Sequence, residues 1–123
     1  TGIKILVAED VEINRLILED MLVEEDAEAT LCEDGKHAVD SLRDIGPGKF
    51  DMVLMDIQMP IMDGYTASRL ISEIDPELPI IGVSAHVLQE DKDKSRAAGM
   101  IDHVTKPILI DDLVAAILKH LVR

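Results

Sequence analysis

Two adjacent acids, Glu9 and Asp10, a third acid at Asp56, a hydroxyl at Ser84 and an amine at Lys106 are the side chains in this sequence best placed to do chemistry together. Each follows a short apolar run. Three carboxylates brought close together cannot all stay ionised cheaply, because like charges raise one another's pKa. A hard divalent cation resolves the conflict. Mg²⁺ favours oxygen ligands in octahedral geometry and keeps several waters, so one or two carboxylates and a phosphate oxygen would complete it. Acids often do no more than solvate loop ends, and one acidic pair after a strand carries little weight. A pair, a third acid, a hydroxyl and a lysine at four strand ends make coincidence a poor account.

For those residues to meet, the elements between them must fold back repeatedly. Ile3 to Ala8 reads as a buried strand. From Val11 to Glu25, Asn14, Ile17, Leu18, Met21 and Leu22 recur at helical spacing and predict a helix with its core face at Ile17, Leu18, Met21 and Leu22. Glu28 to Cys32 is a short strand, and the turn Glu33-Asp34-Gly35 leads to a helix from Lys36 to about Ile45. Gly46-Pro47-Gly48 ends it, since glycine tolerates positive φ and proline cannot continue the ladder. Asp51 to Met55 is the third strand, closed by Asp56. A loop from Ile57 to Asp63 leads into a helix from Gly64 to Ile74, which Asp75-Pro76-Glu77-Leu78-Pro79 breaks.

Pro79 to Val83 is the fourth strand, with Ser84 at its end. A polar helix from Leu88 to Ala98, closed by Gly99, precedes a fifth strand from Asp102 to Thr105. The last helix runs from Asp111 to Val122, with Asp111 and Asp112 near the positive end of its dipole. Strands alternating with helices imply a parallel sheet covered on both faces, whose strands read as continuous apolar runs. The prediction is one doubly wound α/β domain over residues 1–123. Ligands of such sheets bind beyond the carboxyl ends of the strands, where the strand order reverses. With the order 2-1-3-4-5 the first and third strands are neighbours, and Glu9, Asp10 and Asp56 converge.

Composition narrows the partners. A formal net charge of −13 disfavours nucleic acid, whose phosphates need Lys and Arg, and favours cations or basic protein surfaces. Cys32 is the only cysteine, so no internal disulfide forms and a reducing, cytoplasmic setting is expected, with Cys32 a small hydrophobe at a strand end. No apolar run approaches the length of a membrane span, and Thr1-Gly2-Ile3 lacks the layout of a signal peptide. Flavin binding is disfavoured because only Phe50 and Tyr65 could stack on a ring.

The Glu9-Asp10 pair, Asp56 within Met55-Asp56-Ile57-Gln58-Met59-Pro60, Met62-Asp63-Gly64, Ser84-Ala85 and Lys106-Pro107 resemble the response-regulator receiver family in order and spacing. The stretches from Ala8 to Arg15, Ser84 to His86 and Ala98 to His103 are most similar to receivers of hybrid sensor histidine kinases. The resemblance implies a flavodoxin-like fold and a phosphorelay domain that takes a phosphoryl group from phosphohistidine onto Asp56. It implies Mg²⁺ (or Mn²⁺) held by Asp10, Asp56 and the backbone carbonyl of Gln58, with Glu9 acting through water. Lys106 would pair with a phosphate oxygen, aimed by the bond to Pro107, and Ser84 would donate a hydrogen bond. Ser84 stands where threonine is commoner in the family. The switch position on the fifth strand carries His103 in place of an aromatic residue, and Gln58 and His86 would flank the water that hydrolyses the acyl phosphate. His37 and His120 are expected to be simply solvated.

Ile13, Leu16 and Val23 fall off the core face of the first helix at ~3.6 residues per turn. They form a candidate docking patch for the histidine kinase or histidine phosphotransfer domain. The polar helix from Leu88 suits a monomer or a weak dimer. Two rival functions stand against this one. An interaction module without phosphorylation would be expected to lack a key residue, and none is missing. A Mg²⁺-dependent phosphohydrolase with an aspartyl nucleophile generally places it after the first strand with a second Asp two residues on, where this chain has Glu12 after Asp10.

Overall fold

The alternation of apolar runs and amphipathic stretches produces the expected α/β alternation in the computed structural model of the chain, which describes residues 3–57, 64–84, 93–94, 96–105 and 108–120. Along it lie β1 (Ile3–Ala8), α1 (Glu12–Glu24), β2 (Ala27–Cys32), α2 (Gly35–Ile45), β3 (Met52–Asp56), α3 (Gly64–Ile74), β4 (Ile80–Ser84), β5 (Asp102–Thr105) and α4 (Ile110–His120). All strand pairings are parallel and the order is β2-β1-β3-β4-β5. The expected helix from Leu88 to Ala98 falls largely outside the described residues.

Side-chain alternation divides the core in two. Leu6, Ala8, Val53, Met55 and Ile80 point to the face covered by Ala38, Val39 and Leu42 of α2 and by Ala67 and Ile71 of α3. Ile5, Val7, Met52, Leu54, Ile81 and Val83 point to the face covered by Leu18 and Leu22 of α1 and by Leu113, Ala116 and Ile117 of α4. Each fully buried Leu or Ile stabilises the fold by ~1.5–3 kcal/mol relative to exposure. The central strands β1, β3 and β4 are apolar on both faces because both are roofed.

Local chemistry ends the helices. Asp34 caps α2 by accepting from the His37 N–H at 2.8 Å. Gly46, at φ +95°, turns the chain out while its N–H donates to the Leu42 carbonyl at 2.7 Å. Asp75 ties the next break to this one: its buried carboxylate accepts from the Gly48 N–H at 3.0 Å.

Two expectations fail. Ile17, assigned to the core face of α1, is 46% exposed, while Leu18 and Leu22 are buried and Met21 is half-buried. The helix carries apolar residues on more than one side, so spacing alone could not tell which stripe faces the sheet. His120 is not simply solvated either: its Nε2 lies 2.8 Å from Oδ2 of Asp102. The last turn of α4 returns beside the start of β5, a proximity that a separation of 18 positions hides from the sequence.

Candidate functional site

Register brings the acids together. Ala8 of β1 pairs with Met55 of β3, so Glu9 and Asp56 each lie one step beyond a paired residue on adjacent strands. Glu9 is 1% exposed and Asp56 2%, an unusual depth for carboxylates, which are almost never fully buried without partners. Asp10 follows at the start of the turn into α1. One carboxylate oxygen from each of Glu9, Asp10 and Asp56 lies within 4.8 Å of the others.

The electrostatics of this arrangement are strained. The Asp10 carboxyl is raised above its ordinary value, first by burial and then by contact with, and repulsion from, the Glu9 carboxylate; its own backbone and a contact with Asp56 act the opposite way. Buried anions of one sign call for a cation, and three oxygens at this spacing are the donor set a hard divalent ion prefers. The residues present fit such an ion.

The remaining strand ends extend the site sideways. Asp56 pairs with Val83, which places Ser84 one step beyond on β4, and Ser84 pairs with Thr105 on β5. Ser84 is buried. Lys106 follows Thr105 directly in sequence, but Lys106, Gln58 and His86 lie outside the described residues, so their expected places at the site are not described.

Sequence reasoning quoted two further residues without seeing what they do. Gly64 opens α3 with its N–H donating to the Ile57 carbonyl at 3.0 Å. A Cβ there would fall against the Asp56 carbonyl and 2.7 Å from Cα of Ile57, so the helix can abut the strand end only with glycine at this position. Arg15, one turn into α1, reaches back with Nη1 to the Glu9 carbonyl at 2.8 Å. A glycine opening a helix after an acidic strand end was the available signal for the first. For the second, no local pattern announces a bond spanning six residues.

At the far edge, His103 on β5 pairs with Gly82 on β4. A Cβ on Gly82 would lie 3.0 Å from Cδ2 of His103 and 2.9 Å from Sδ of Met100, so the missing side chain makes room for the half-buried imidazole. His103 borders two openings, of about 160 and 290 Å³, the larger running between β5 and Asp112, Ala115 and Lys119 of α4. Ile13, Leu16 and Val23, which fall off the core face of α1, are 64%, 49% and 60% exposed.

The family model of the response regulator receiver domain matches residues 5–118. The chain belongs to that family. A curated relative, hybrid signal transduction histidine kinase I of Dictyostelium discoideum, is 40% identical over 111 residues, which cover 85% of this chain and 6% of the kinase. The chain thus spans a small part of that relative's length. Among solved structures, the receiver domain of sensor histidine kinase PA1611 from Pseudomonas aeruginosa PAO1 superposes with a TM-score of 0.88 at 33% identity, covering 98% of each chain; it carries a magnesium ion in its active-site cleft. The complex of the Saccharomyces cerevisiae histidine phosphotransfer protein Ypd1 with the receiver of Ssk1 matches with a TM-score of 0.88 at 26% identity, covering 98% of this chain and 89% of that one. This chain is therefore a receiver of two-component signalling, similar to those carried by hybrid sensor kinases. Among the described residues, no helix is long and apolar enough to cross a membrane.

Proposed function

We propose that residues 1–123 form one phosphoacceptor domain in which Asp56 takes a phosphoryl group from a phosphohistidine. The observation that carries this reading is the buried carboxylate of Asp56 at the end of a central strand, beside Glu9 and Asp10. A carboxylate oxygen of Asp56 attacks phosphorus, the P–N bond breaks, and the imidazole leaves with the bonding pair, giving an aspartyl phosphate. Asp10, Asp56 and the Gln58 carbonyl would hold Mg²⁺ (or Mn²⁺), with Glu9 acting through water. When bound, such an ion would supply positive charge against the transferring group. Ser84 donates its hydroxyl to the phosphoryl oxygens, and Lys106 supplies a point charge on them. The domain thereby catalyses its own phosphorylation and dephosphorylation without being a turnover enzyme, and Gln58 and His86 tune the loss to water.

The acyl phosphate adds ~1.5 to 2 negative charges at one point. Ser84 moves toward it, and His103, seated over Gly82 two residues before Ser84, follows into the space released. The partner is a histidine kinase or a histidine phosphotransfer domain, and it docks on Ile13, Leu16 and Val23, whose exposure on the helix that follows Asp10 supports that role. Ile17, also exposed, joins the same patch. A buried Cys32, whose thiol is pushed up chiefly by burial, suits a reducing cytoplasm.

Intact mass after incubation with acetyl phosphate and Mg²⁺ tests the proposal. The wild type gains one phosphoryl group, the gain requires Mg²⁺, and Asp56→Asn shows none; a gain that survives in Asp56→Asn overturns the site. With a phosphohistidine protein as donor, Leu16→Asp slows transfer by about tenfold, as expected for a central interface contact. Acetyl phosphate, which needs no docking, still labels that variant at the wild-type rate. Equal losses with both donors would remove the patch from the mechanism.

A further inference from the structure

The turn that carries Asp10 has an unusual support. β1 ends at Ala8, and the Glu9 N–H still donates to the Cys32 carbonyl at 3.1 Å. Beyond that point the chain leaves the ladder, and its carbonyls need other donors. Val11 stands at the N-cap of α1, yet no side-chain cap bond is made there. Such caps ordinarily stabilise a helix start by about 1 kcal/mol.

Arg15 donates to two carbonyls of this turn. Its backbone N–H donates to the Val11 carbonyl at 3.0 Å, the first helical bond of α1. Its Nη1 donates to the Glu9 carbonyl at 2.8 Å. Residues 9 and 11 are thus both tied to Arg15, and Asp10 sits between them. The Glu9 carboxylate closes the turn from inside, with Oε2 accepting from the Val11 N–H at 3.1 Å.

We infer that Arg15 is a positioning residue for the metal site: by fixing the Glu9 carbonyl it holds Asp10 where its carboxylate can share a divalent cation with Asp56. The inference rests on the metal reading above.

Two physical effects of Arg15 have opposite signs, which makes the role testable. As a positive charge near the site it repels Mg²⁺, so its loss would tighten binding. As a pin it preorganises a ligand, and losing a partner that orients a metal ligand weakens binding by about 10-fold or more. The measurement is a Mg²⁺ titration at fixed ionic strength, followed through the amide resonances of Asp10, Val11 and Asp56, with no phosphoryl donor present. Arg15→Ala should bind Mg²⁺ about 10-fold more weakly than wild type. Arg15→Lys keeps the charge and one donor and should recover most of the affinity. Should Arg15→Ala fail to fold, Arg15→Met keeps the packed stem and carries the same expectation.

Unchanged or tighter binding in the Ala or Met variant overturns the pin while leaving the metal site intact. A Lys variant as weak as Ala also overturns it, since the donated bond would then not be the cause. A wild type that binds no Mg²⁺ overturns the metal reading, and the pin with it.

Discussion

The two ends of the sheet solve the same problem differently. At β1 and β3, Glu9, Asp10 and Asp56 press charges of one sign together, with two of the three carboxylates buried. At β5, Asp102 meets His120 at 2.8 Å and accepts from the His103 N–H at 2.8 Å. Burial raises the Asp102 carboxyl, but these two bonds and the nearby His120 and Lys119 outweigh it and hold the group below its ordinary value. The Asp10 carboxyl moves the other way. Asp102 completes its interactions within the chain. Asp10 instead meets two other acids, an arrangement that a cation from outside would relieve.

The largest effect expected from this contrast is the response to metal. Mg²⁺ at about 100 times its dissociation constant should stabilise the wild type by about 2.7 kcal/mol, seen as a rise in Tm that a chelator reverses. Asp102→Asn should keep that response and Asp10→Asn should lose most of it. If both variants kept it, the two ends would not differ in the way described. Gly64→Ala comes next. It forces backbone apart at Asp56 and should destabilise by about 1–3 kcal/mol in chemical denaturation, with amide shifts concentrated at residues 56 and 57.

Asp102→Asn should cost about 1 kcal/mol near neutral pH. A lowered carboxyl contributes stability that is present above its unfolded value and lost as pH falls through its folded one. The gap between variant and wild type should therefore close in melts below pH ~4. Smallest is Asp10→Asn without metal. A raised carboxyl favours the fold most below its unfolded value, and that contribution disappears as pH rises through the folded value. The substitution should then raise Tm at pH 7 by about 1–3 °C, with no gain in acid. A fall at pH 7 would mean that Asp10 is already compensated inside the chain.

Much of this was legible in advance, for identifiable reasons. Ile3–Ala8, Gly64–Ile74 and Asp102–Thr105 agree with the predicted bounds to the residue, because apolar runs and Gly or Pro breaks mark them sharply. The convergence of Glu9, Asp10 and Asp56 followed from strand order alone. The inner face of α1 did not, since Ile17 and Leu18 are both apolar and only the sheet chooses between them. The Asp102–His120 contact and the reach of Arg15 to Glu9 were likewise invisible, because side-chain bonds across a fold leave no periodic trace. Gly82, a glycine inside a strand, gains its reason only from the fold, which places His103 over it.

The distribution of the site along the chain also governs when it comes into being. Glu9 and Asp56 are 47 positions apart, Ser84 lies further on, and none of them meets another through local structure. Contacts of such sequence separation form late, after the loops between them have closed. During synthesis the acidic half of the site cannot assemble until the third strand has emerged and paired with the first, and the hydroxyl joins later still. On the proposed function, a nascent or partly unfolded chain would offer no competent acceptor for a donor's phosphate, so modification would report that the strands carrying the site had paired.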